Sequence, residues 1–223
     1  REVNIVTVEE PVEYEVEGIN QVPVNPEIGM TFAAALRAIL RQDPDIIMLG
    51  ETRDLETAEI AVRAALTGHL VFSTLHTNDA PSSVTRLVDM GIAPIMVCSS
   101  LNLVVAQRLV RRICTNCKTE APPPAEVLDR AVNFAKIALP EKLYRGEGCE
   151  VCGGSGYKGR LALHEVLSVN SAIKKIVMKG GTEEEIWEAA KDMGCESLMG
   201  CGLWRAGEGA TTLDEVLKVA LAE

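Results

Sequence analysis

The side chains best suited to chemistry stand at the ends of apolar runs or in closely spaced pairs. The run Ile46-Ile47-Met48-Leu49 is followed directly by Gly50 and Glu51. Continuous apolar sequence is typical of a strand covered on both faces, as in parallel sheets, where ligands bind beyond the carboxyl ends of the strands. A carboxylate at that position can hold Mg²⁺ or orient a water molecule. A solvated acid that merely follows a buried strand is the alternative, which this segment alone leaves open.

Two further polar groups follow predicted strands. Glu9, Glu10 and Glu13 come after the β-branched segment at residues 4–8, and His76 comes after the apolar segment at residues 70–75, which His69 precedes. Carboxylates suit magnesium, and an imidazole can donate a hydrogen bond to a phosphate oxygen. The alternating Glu13, Glu15 and Glu17 can also simply face solvent on a hairpin, and a single histidine is more often structural. Two histidines that bracket one strand, in a chain with three, favour a functional role.

Four of the seven cysteines form two C-x-x-C pairs, Cys114 with Cys117 and Cys149 with Cys152. Four thiolates complete the tetrahedral shell of a structural zinc ion and leave no open position for water. The 31 residues between the pairs exceed the usual zinc-ribbon spacing, so we expect the intervening segment to fold back. Reduced free thiols and a redox pair are the alternatives. The remaining cysteines, Cys98, Cys195 and Cys201, are predicted to be small buried apolar residues.

The elements that must position these side chains alternate between strand and helix, which predicts an α/β fold built from parallel βαβ units. Predicted strands cover residues 4–8, 45–50 and 70–75, and predicted helices cover 31–42, 55–66, 81–91 and 94–107. Residues 110–160 are rich in Arg, Cys, Pro and Gly, which indicates an inserted module. A strand from Arg160 then leads to helices near 171–179, 183–193, 196–206 and 212–222. Thr182 with Glu185, and Thr212 with Glu215, fit the capping-box spacing.

Composition narrows the class of protein. The 223 residues are 47% hydrophobic with a formal net charge of −10, which disfavours a nonspecific nucleic-acid binder. The longest uncharged run, residues 90–107, contains Gly, Pro and polar side chains, so we expect a buried helix there rather than a membrane span. The chain opens without Met, almost directly in a strand and without the pattern of an export signal. We therefore expect that a longer N-terminal part precedes residue 1.

Three segments resemble those of a known family. VTVEEPVEY, LRQDPDIIMLGETRD and AALTGHLVFSTLHTNDA are similar to the Asp box, Walker B box and His box of the bacterial secretion ATPases, the motors of type II secretion and type IV pilus assembly. The resemblance extends through the cysteines to TTLDEVLKV and so covers nearly the whole chain. Three boxes in the expected order make this a specific match. Glu10 stands where the family usually has Asp, and Thr52 where it usually has Ile.

The resemblance implies a RecA-like P-loop NTPase core with ATP, Mg²⁺ and Zn²⁺ as ligands. Glu51 would activate the attacking water, His76 with support from His69 would sense the γ-phosphate, and Glu9, Glu10 and Glu13 would organise magnesium beside Gly50 and Arg53. It also implies a hexameric ring at the cytoplasmic face of the inner membrane, associated peripherally with a platform protein and with no nucleic acid. Arg41, Arg53 and Arg86 are candidates to act across subunits. The cysteine module favours an assembly or secretion motor over a retraction motor.

The resemblance divides the chain into an ATPase core at 1–109, a tetracysteine module at 110–160 and a C-terminal helical subdomain at 161–223. No G-x-x-x-x-G-K-[ST] loop occurs in the chain, and in the family that loop lies just upstream of the Asp box. We therefore expect negligible turnover from these residues alone. A catalytically inactive scaffold with a zinc-binding interaction module is the alternative, whereas a zinc-dependent nucleic-acid binder is disfavoured by the net charge.

Overall fold

The computed structural model describes residues 3–134 and 138–220. The strands are β1 (Ile5–Glu9), β2 (Asn20–Pro23), β3 (Ile46–Leu49), β4 (Leu70–Ser73), β5 (Leu103–Ile113), β6 (Lys118–Glu120), β7 (Tyr144–Gly146) and β8 (Tyr157–Ser168). The helices are α1 (Phe32–Ile39), α2 (Leu55–Leu66), α3 (Ala80–Asp89), α4 (Pro94–Ser100), α5 (Ala125–Asp129), α6 (Ser171–Met178), α7 (Glu183–Asp192), α8 (Leu198–Gly207) and α9 (Leu213–Ala220).

The residues group into two compact units. The first comprises residues 3–77, 81–104 and 168–189, and the second comprises 78–80, 190–220 and the described part of 105–167. This grouping in space differs from the predicted division into three consecutive segments. Helices α6 and most of α7 group with the first unit, whereas α8 and α9 group with the cysteines.

The first unit contains a four-stranded sheet in the order β2-β1-β3-β4, and all of its pairs are parallel. The parallel arrangement of β1, β3 and β4 confirms the prediction from the apolar runs. Its core packs β1 and β3 against α1 and α2, with Val8, Leu36, Ile47 and Leu49 fully buried. Apolar residues on both faces of the central strands explain why Ile46–Leu49 reads as an uninterrupted run.

Two predictions for these elements were wrong. The helix expected over residues 94–107 ends at Ser100, and β5 begins at Leu103 and pairs with β8. Val104 and Val105 are β-branched and favour a strand, and the uncharged character of the run concealed this preference. The glutamates after β1 are exposed but do not lie on a hairpin, because β1 and β2 are parallel.

The second unit has a short antiparallel pair, β6 with β7, beside the two long strands. Pairing of Lys118 with Gly146 folds the segment between the two cysteine pairs back on itself, as the spacing predicted. Helix α5 follows Pro124 and is continued by a π-helical turn at Arg130–Phe134. Within the described residues, no helix has the length and apolar character required to cross a membrane.

Candidate functional site

Strands β1, β3 and β4 of the first unit end at the same level. Val8, Leu49 and Ser73 are neighbours in register, so the segments that follow them leave the same edge of the sheet. The amide of Thr52 donates to the carbonyl of Thr74 at 2.9 Å, and the Thr74 hydroxyl donates to the carbonyl of Gly50 at 2.6 Å. These bonds keep the segments after β3 and β4 together beyond the strands themselves.

Glu51 is the centre of a polar cluster at this edge. His76 Nε2 lies 2.9 Å from Glu51 Oε2, and the Arg53 guanidinium binds both carboxylate oxygens, with Nη2 at 2.6 Å from Oε1. The Glu51 side chain is 14% exposed, whereas that of His76 is 83% exposed. The structure therefore brings a shielded carboxylate together with an open imidazole and a cation.

The guanidinium controls the charge of Glu51. Its hydrogen bonds lower the pKa of Glu51 below the usual value, burial opposes them, and the hydrogen bond to His76 adds to the lowering. The carboxylate in turn raises the pKa of Arg53. Glu51 thus stays ionised at neutral pH and can accept a proton or orient a water molecule.

The predicted acidic residues are placed differently from one another. Glu10 Oε2 lies 3.2 Å from Arg53 Nη1, so Glu10 joins the cluster through the guanidinium. Glu9 Oε1 instead accepts from Gln21 Nε2 at 2.9 Å and from the Thr7 hydroxyl, which directs it toward β2. Glu13 is exposed in the segment between β1 and β2, and no described contact joins it to Glu51.

The two histidines lie at opposite ends of β4. His69 Nδ1 is 3.0 Å from the Ala64 carbonyl and 3.2 Å from the Thr67 hydroxyl, at the carboxyl end of α2. It precedes β4 and is separated from His76 by the length of that strand. The structure therefore does not bring His69 to Glu51.

Gly50 occupies a position where a side chain would be crowded. A Cβ there would lie 3.3 Å from the Val8 carbonyl oxygen and 3.7 Å from Phe32 Cε1. Glycine lets the end of β3 approach β1 closely, which supports the geometry of the neighbouring Glu51. Arg41, directly after the α1 region, and Arg86, on α3, are both exposed.

The four paired cysteines converge in the second unit. All four Sγ atoms lie within 4.8 Å of one another, with Cys114 and Cys149 at 3.9 Å, Cys117 and Cys152 at 3.9 Å, and Cys149 and Cys152 at 3.7 Å. Four sulfurs about 2.3 Å from a central tetrahedral zinc ion stand about 3.8 Å apart. The spacing therefore fits a zinc shell.

Amide donors around Cys149 and Cys152 fit thiolates at these two positions, whereas burial raises the pKa of Cys117 to about 12. The amides of Cys149 and Gly156 donate to Cys152 Sγ at 3.2 and 3.3 Å, and they lower the pKa of Cys152 to about 6 against its burial. Asn116 Nδ2 donates to Cys149 Sγ at 3.3 Å, and this bond lowers the pKa of Cys149. Sequence reasoning missed Asn116, although a polar residue between two ligands is a usable signal.

Close backbone approach makes this arrangement possible. Gly156 has φ +76°, and a Cβ there would lie 2.5 Å from the Gly146 carbonyl oxygen. The amide of Cys114 donates to the Gly156 carbonyl at 2.9 Å, which ties the two cysteine pairs together. Only glycine allows this conformation and this contact at once.

Comparison with known proteins identifies related sequences over nearly the whole chain. The family described as "Type II/IV secretion system protein" matches residues 1–218. The type IV pilus assembly ATPase PilB of Thermus thermophilus is 54% identical over 214 residues, which are 96% of this chain and 24% of that protein. The type II secretion system protein E of Aeromonas hydrophila is 47% identical over 219 residues, 98% of this chain and 43% of that protein. The chain thus spans less than half the length of these relatives.

Solved structures share the fold. The pilus retraction motor PilT with bound ADP has a TM-score of 0.68 at 29% identity, covering 97% of this chain and 52% of that one. The Legionella pneumophila ATPase DotB has a TM-score of 0.65 at 21% identity, covering 100% and 52%, a likeness of fold alone. The α/β architecture is that of the RecA-like secretion ATPases.

Proposed function

The chain belongs to the type II/IV secretion system protein family, and from that premise we propose that it is the Walker B and His-box part of an ATP-hydrolysing motor. The observation that carries the proposal is the convergence of Glu51, His76, Arg53 and Glu10 at the carboxyl edge of a parallel sheet. Those are the side chains that phosphoryl transfer requires, because it depends on positioning and charge stabilisation.

Each residue has a proposed role. Glu51 orients and deprotonates the attacking water, since a carboxylate offers about four lone-pair sites and only some are used by Arg53 and His76. His76, open to solvent, donates a hydrogen bond toward the γ-phosphate. Glu10, which contacts Arg53, would hold Mg²⁺ and its waters, and the bound ion would neutralise phosphate charge. Arg53 keeps Glu51 ionised and is a candidate, with Arg41 and Arg86, to reach a neighbouring subunit.

We propose that the whole protein works as a homo-oligomeric, hexameric ring bound peripherally to an inner-membrane platform protein at the cytoplasmic face. The relatives at 54% and 47% identity are a pilus assembly ATPase and a type II secretion protein. These support pilus assembly or type II secretion as the process, and the sequence around Tyr144 and Tyr157 leans toward pilus assembly.

We also propose that Cys114, Cys117, Cys149 and Cys152 hold one structural Zn²⁺. The sulfur spacing and the amide donors to Cys152 support this assignment. The ion would link β5, the turn after β7 and the start of β8 without taking part in hydrolysis.

The test is ATP hydrolysis by the whole protein with Glu51→Gln. Turnover should fall by at least about 10²-fold while nucleotide affinity stays within about twofold, because a group acting in the transition state is removed. Glu56→Gln on α2 makes the same charge change at an exposed ion pair with Arg37 and should leave turnover unchanged. Unchanged turnover in Glu51→Gln would contradict the role proposed for Glu51, and no turnover in the wild type would favour the scaffold alternative.

A further inference from the structure

The four sulfurs of the proposed zinc site come from two distant segments of the second unit. Cys114 and Cys117 lie between β5 and β6, and Cys149 and Cys152 lie between β7 and β8. Four thiolates around one divalent ion leave two negative charges uncompensated, in a chain whose net charge is already −10. Hydrogen bonds donated to the sulfurs spread this charge and orient the ligands. The donors around the sulfurs therefore matter for how tightly the metal is held.

Backbone amides supply most of these donors. Cys152 Sγ accepts from the amides of Cys149 and Gly156 at 3.2 and 3.3 Å. The amide of Cys152 in turn donates to the Cys149 thiolate. Such donors come from the fold of the turn itself, so they stay in place whichever side chains the turn carries.

The side chain of Asn116 is the exception. Its Nδ2 lies 3.3 Å from Cys149 Sγ, and among the hydrogen bonds of the described residues it is the only side-chain nitrogen that donates to one of the four sulfurs. Asn116 stands between Cys114 and Cys117, whereas Cys149 belongs to the other pair. The bond therefore joins the two halves of the shell. Asn116 is exposed, so its replacement removes no buried packing.

We infer that Asn116 is a positioning residue for the metal: its side-chain amide holds Cys149 Sγ in the shell and compensates part of the thiolate charge. This inference rests on the proposed zinc site. The neighbouring Thr115 is exposed in the same turn and has no described hydrogen bond to a sulfur, which makes it a matched control. If Asn116 served only the shape of this turn, its loss would leave the metal's affinity and spectrum unchanged.

Zinc affinity of the whole protein, measured by competition with a chromophoric chelator, is the first test. Cys152→Ser gives the reference for zinc held elsewhere in the protein. We expect Asn116→Ala to weaken binding about tenfold, since partners of metal ligands typically affect affinity by about 10–100-fold. Thr115→Ala should stay within about twofold of the wild type. Asn116→Asp should bind more weakly than Asn116→Ala, because a carboxylate of the same shape cannot donate and adds negative charge beside the sulfur.

Cobalt(II) in place of zinc gives a second readout, which a change in folding stability alone would not move. The thiolate-to-cobalt charge-transfer band should shift to lower energy in Asn116→Ala, because a sulfur without its hydrogen bond gives up electron density more easily. Thr115→Ala should keep the wild-type spectrum. Equal zinc affinity for Asn116→Ala and Thr115→Ala, or an unmoved cobalt band, would overturn the inference. Zinc content no higher in the wild type than in Cys152→Ser would instead overturn the proposed zinc site.

Discussion

Arg53 lowers the pKa of Glu51. The guanidinium binds both oxygens of a carboxylate that is largely shielded from water, and this is the largest cause of the lowered pKa of Glu51. An ordinary glutamate in the same position would have its pKa raised by burial. The pair is therefore more than a surface ion pair, because it keeps the proposed base ready to accept a proton.

We expect Arg53→Ala to move the acid limb of the pH–kcat profile to higher pH. Without the cation the pKa of Glu51 rises, so the carboxylate is protonated, and activity is lost, earlier on acidification. The measurement is kcat from pH 7 down to about pH 4 for the whole protein, because the lowered pKa of Glu51 places the wild-type limb below the ordinary value of 4.5. Arg63→Ala, an exposed arginine paired with Glu59, is the control and should keep the wild-type profile. An acid limb that stays in place in Arg53→Ala would contradict the assigned role.

At this scale the sequence predicted which residues meet but not all of their partners. Glu51 follows the central strand β3 and His76 follows the more exposed edge strand β4 of the same parallel sheet, so their meeting follows from strand direction. The same rule places His69, which precedes its strand, at the other edge, and its contact with Ala64 agrees. The direction of Glu9 toward Gln21 depends on β2, a strand too short and polar to be predicted from its pattern.

Among the elements, helix α9 is held by an ion pair between Glu215 and Arg111. The sequence predicted only the capping box of Thr212 with Glu215. The Thr212 hydroxyl accepts from the amide of Glu215, as a capping box requires. The Glu215 carboxylate, however, binds Arg111, with Oε1 2.7 Å from Nη2 and Oε2 3.1 Å from the amide. Thr182 and Glu185 form the complete reciprocal box at α7. A long-range partner on β5 explains the difference, and local spacing cannot reveal it.

We expect Glu215→Gln to lower the melting temperature at pH 7 and to lose that effect on acidification. The hydrogen bond from Arg111 lowers the pKa of Glu215, so the stabilisation is full above the unfolded pKa of about 4.3 and is lost as pH falls through the lower folded value. Thermal unfolding from pH 7 to pH 3 measures this. Glu120→Gln, an exposed acid paired with Lys142, should change little. A constant difference across this pH range would contradict the linkage.

Helix and strand boundaries could be predicted where local signals set them, and not where pairing with a distant strand does. Helix α2 was predicted at residues 55–66, where it lies, and in the structure the Asp54 side chain caps its first turn. Residues 101–107 were assigned to a helix because length and lack of charge suggested one. Their strand conformation is stabilised by pairing with β8, about sixty residues later in the chain, and no local pattern contains that information.

At the scale of the whole molecule, the chain joins two compact units that consecutive segments do not define. Composition identified the cysteine-rich stretch, yet α8 and α9 group with it, while α6 groups with the sheet. Leu213 and Leu217 of α9 pack against Ala131, which gives the second unit a core of its own. This grouping depends on contacts between segments that are distant in the sequence, so the sequence pattern alone could not predict it.

We expect the chain to bind one zinc ion. Removal of the ion should increase amide hydrogen exchange in the second unit and not in the first. Chelation or Cys152→Ser should speed amide hydrogen exchange in residues 114–120 and 144–156, since the metal links strands that bury little else, and leave β1, β3 and β4 protected. Cys201→Ser on α8 is the control and should retain the metal. Chelation without any change in exchange, or absence of zinc in protein purified without chelator, would contradict the proposed site.

The most direct test of the account is ATP hydrolysis by the whole protein carrying Glu51→Gln, His76→Ala and both changes together. We expect each single change to lower kcat and the double variant to be no slower than Glu51→Gln alone, because the two side chains act as one unit across a 2.9 Å contact. Losses that multiply, or a His76→Ala variant as fast as the wild type, would contradict a shared site at the edge of the sheet.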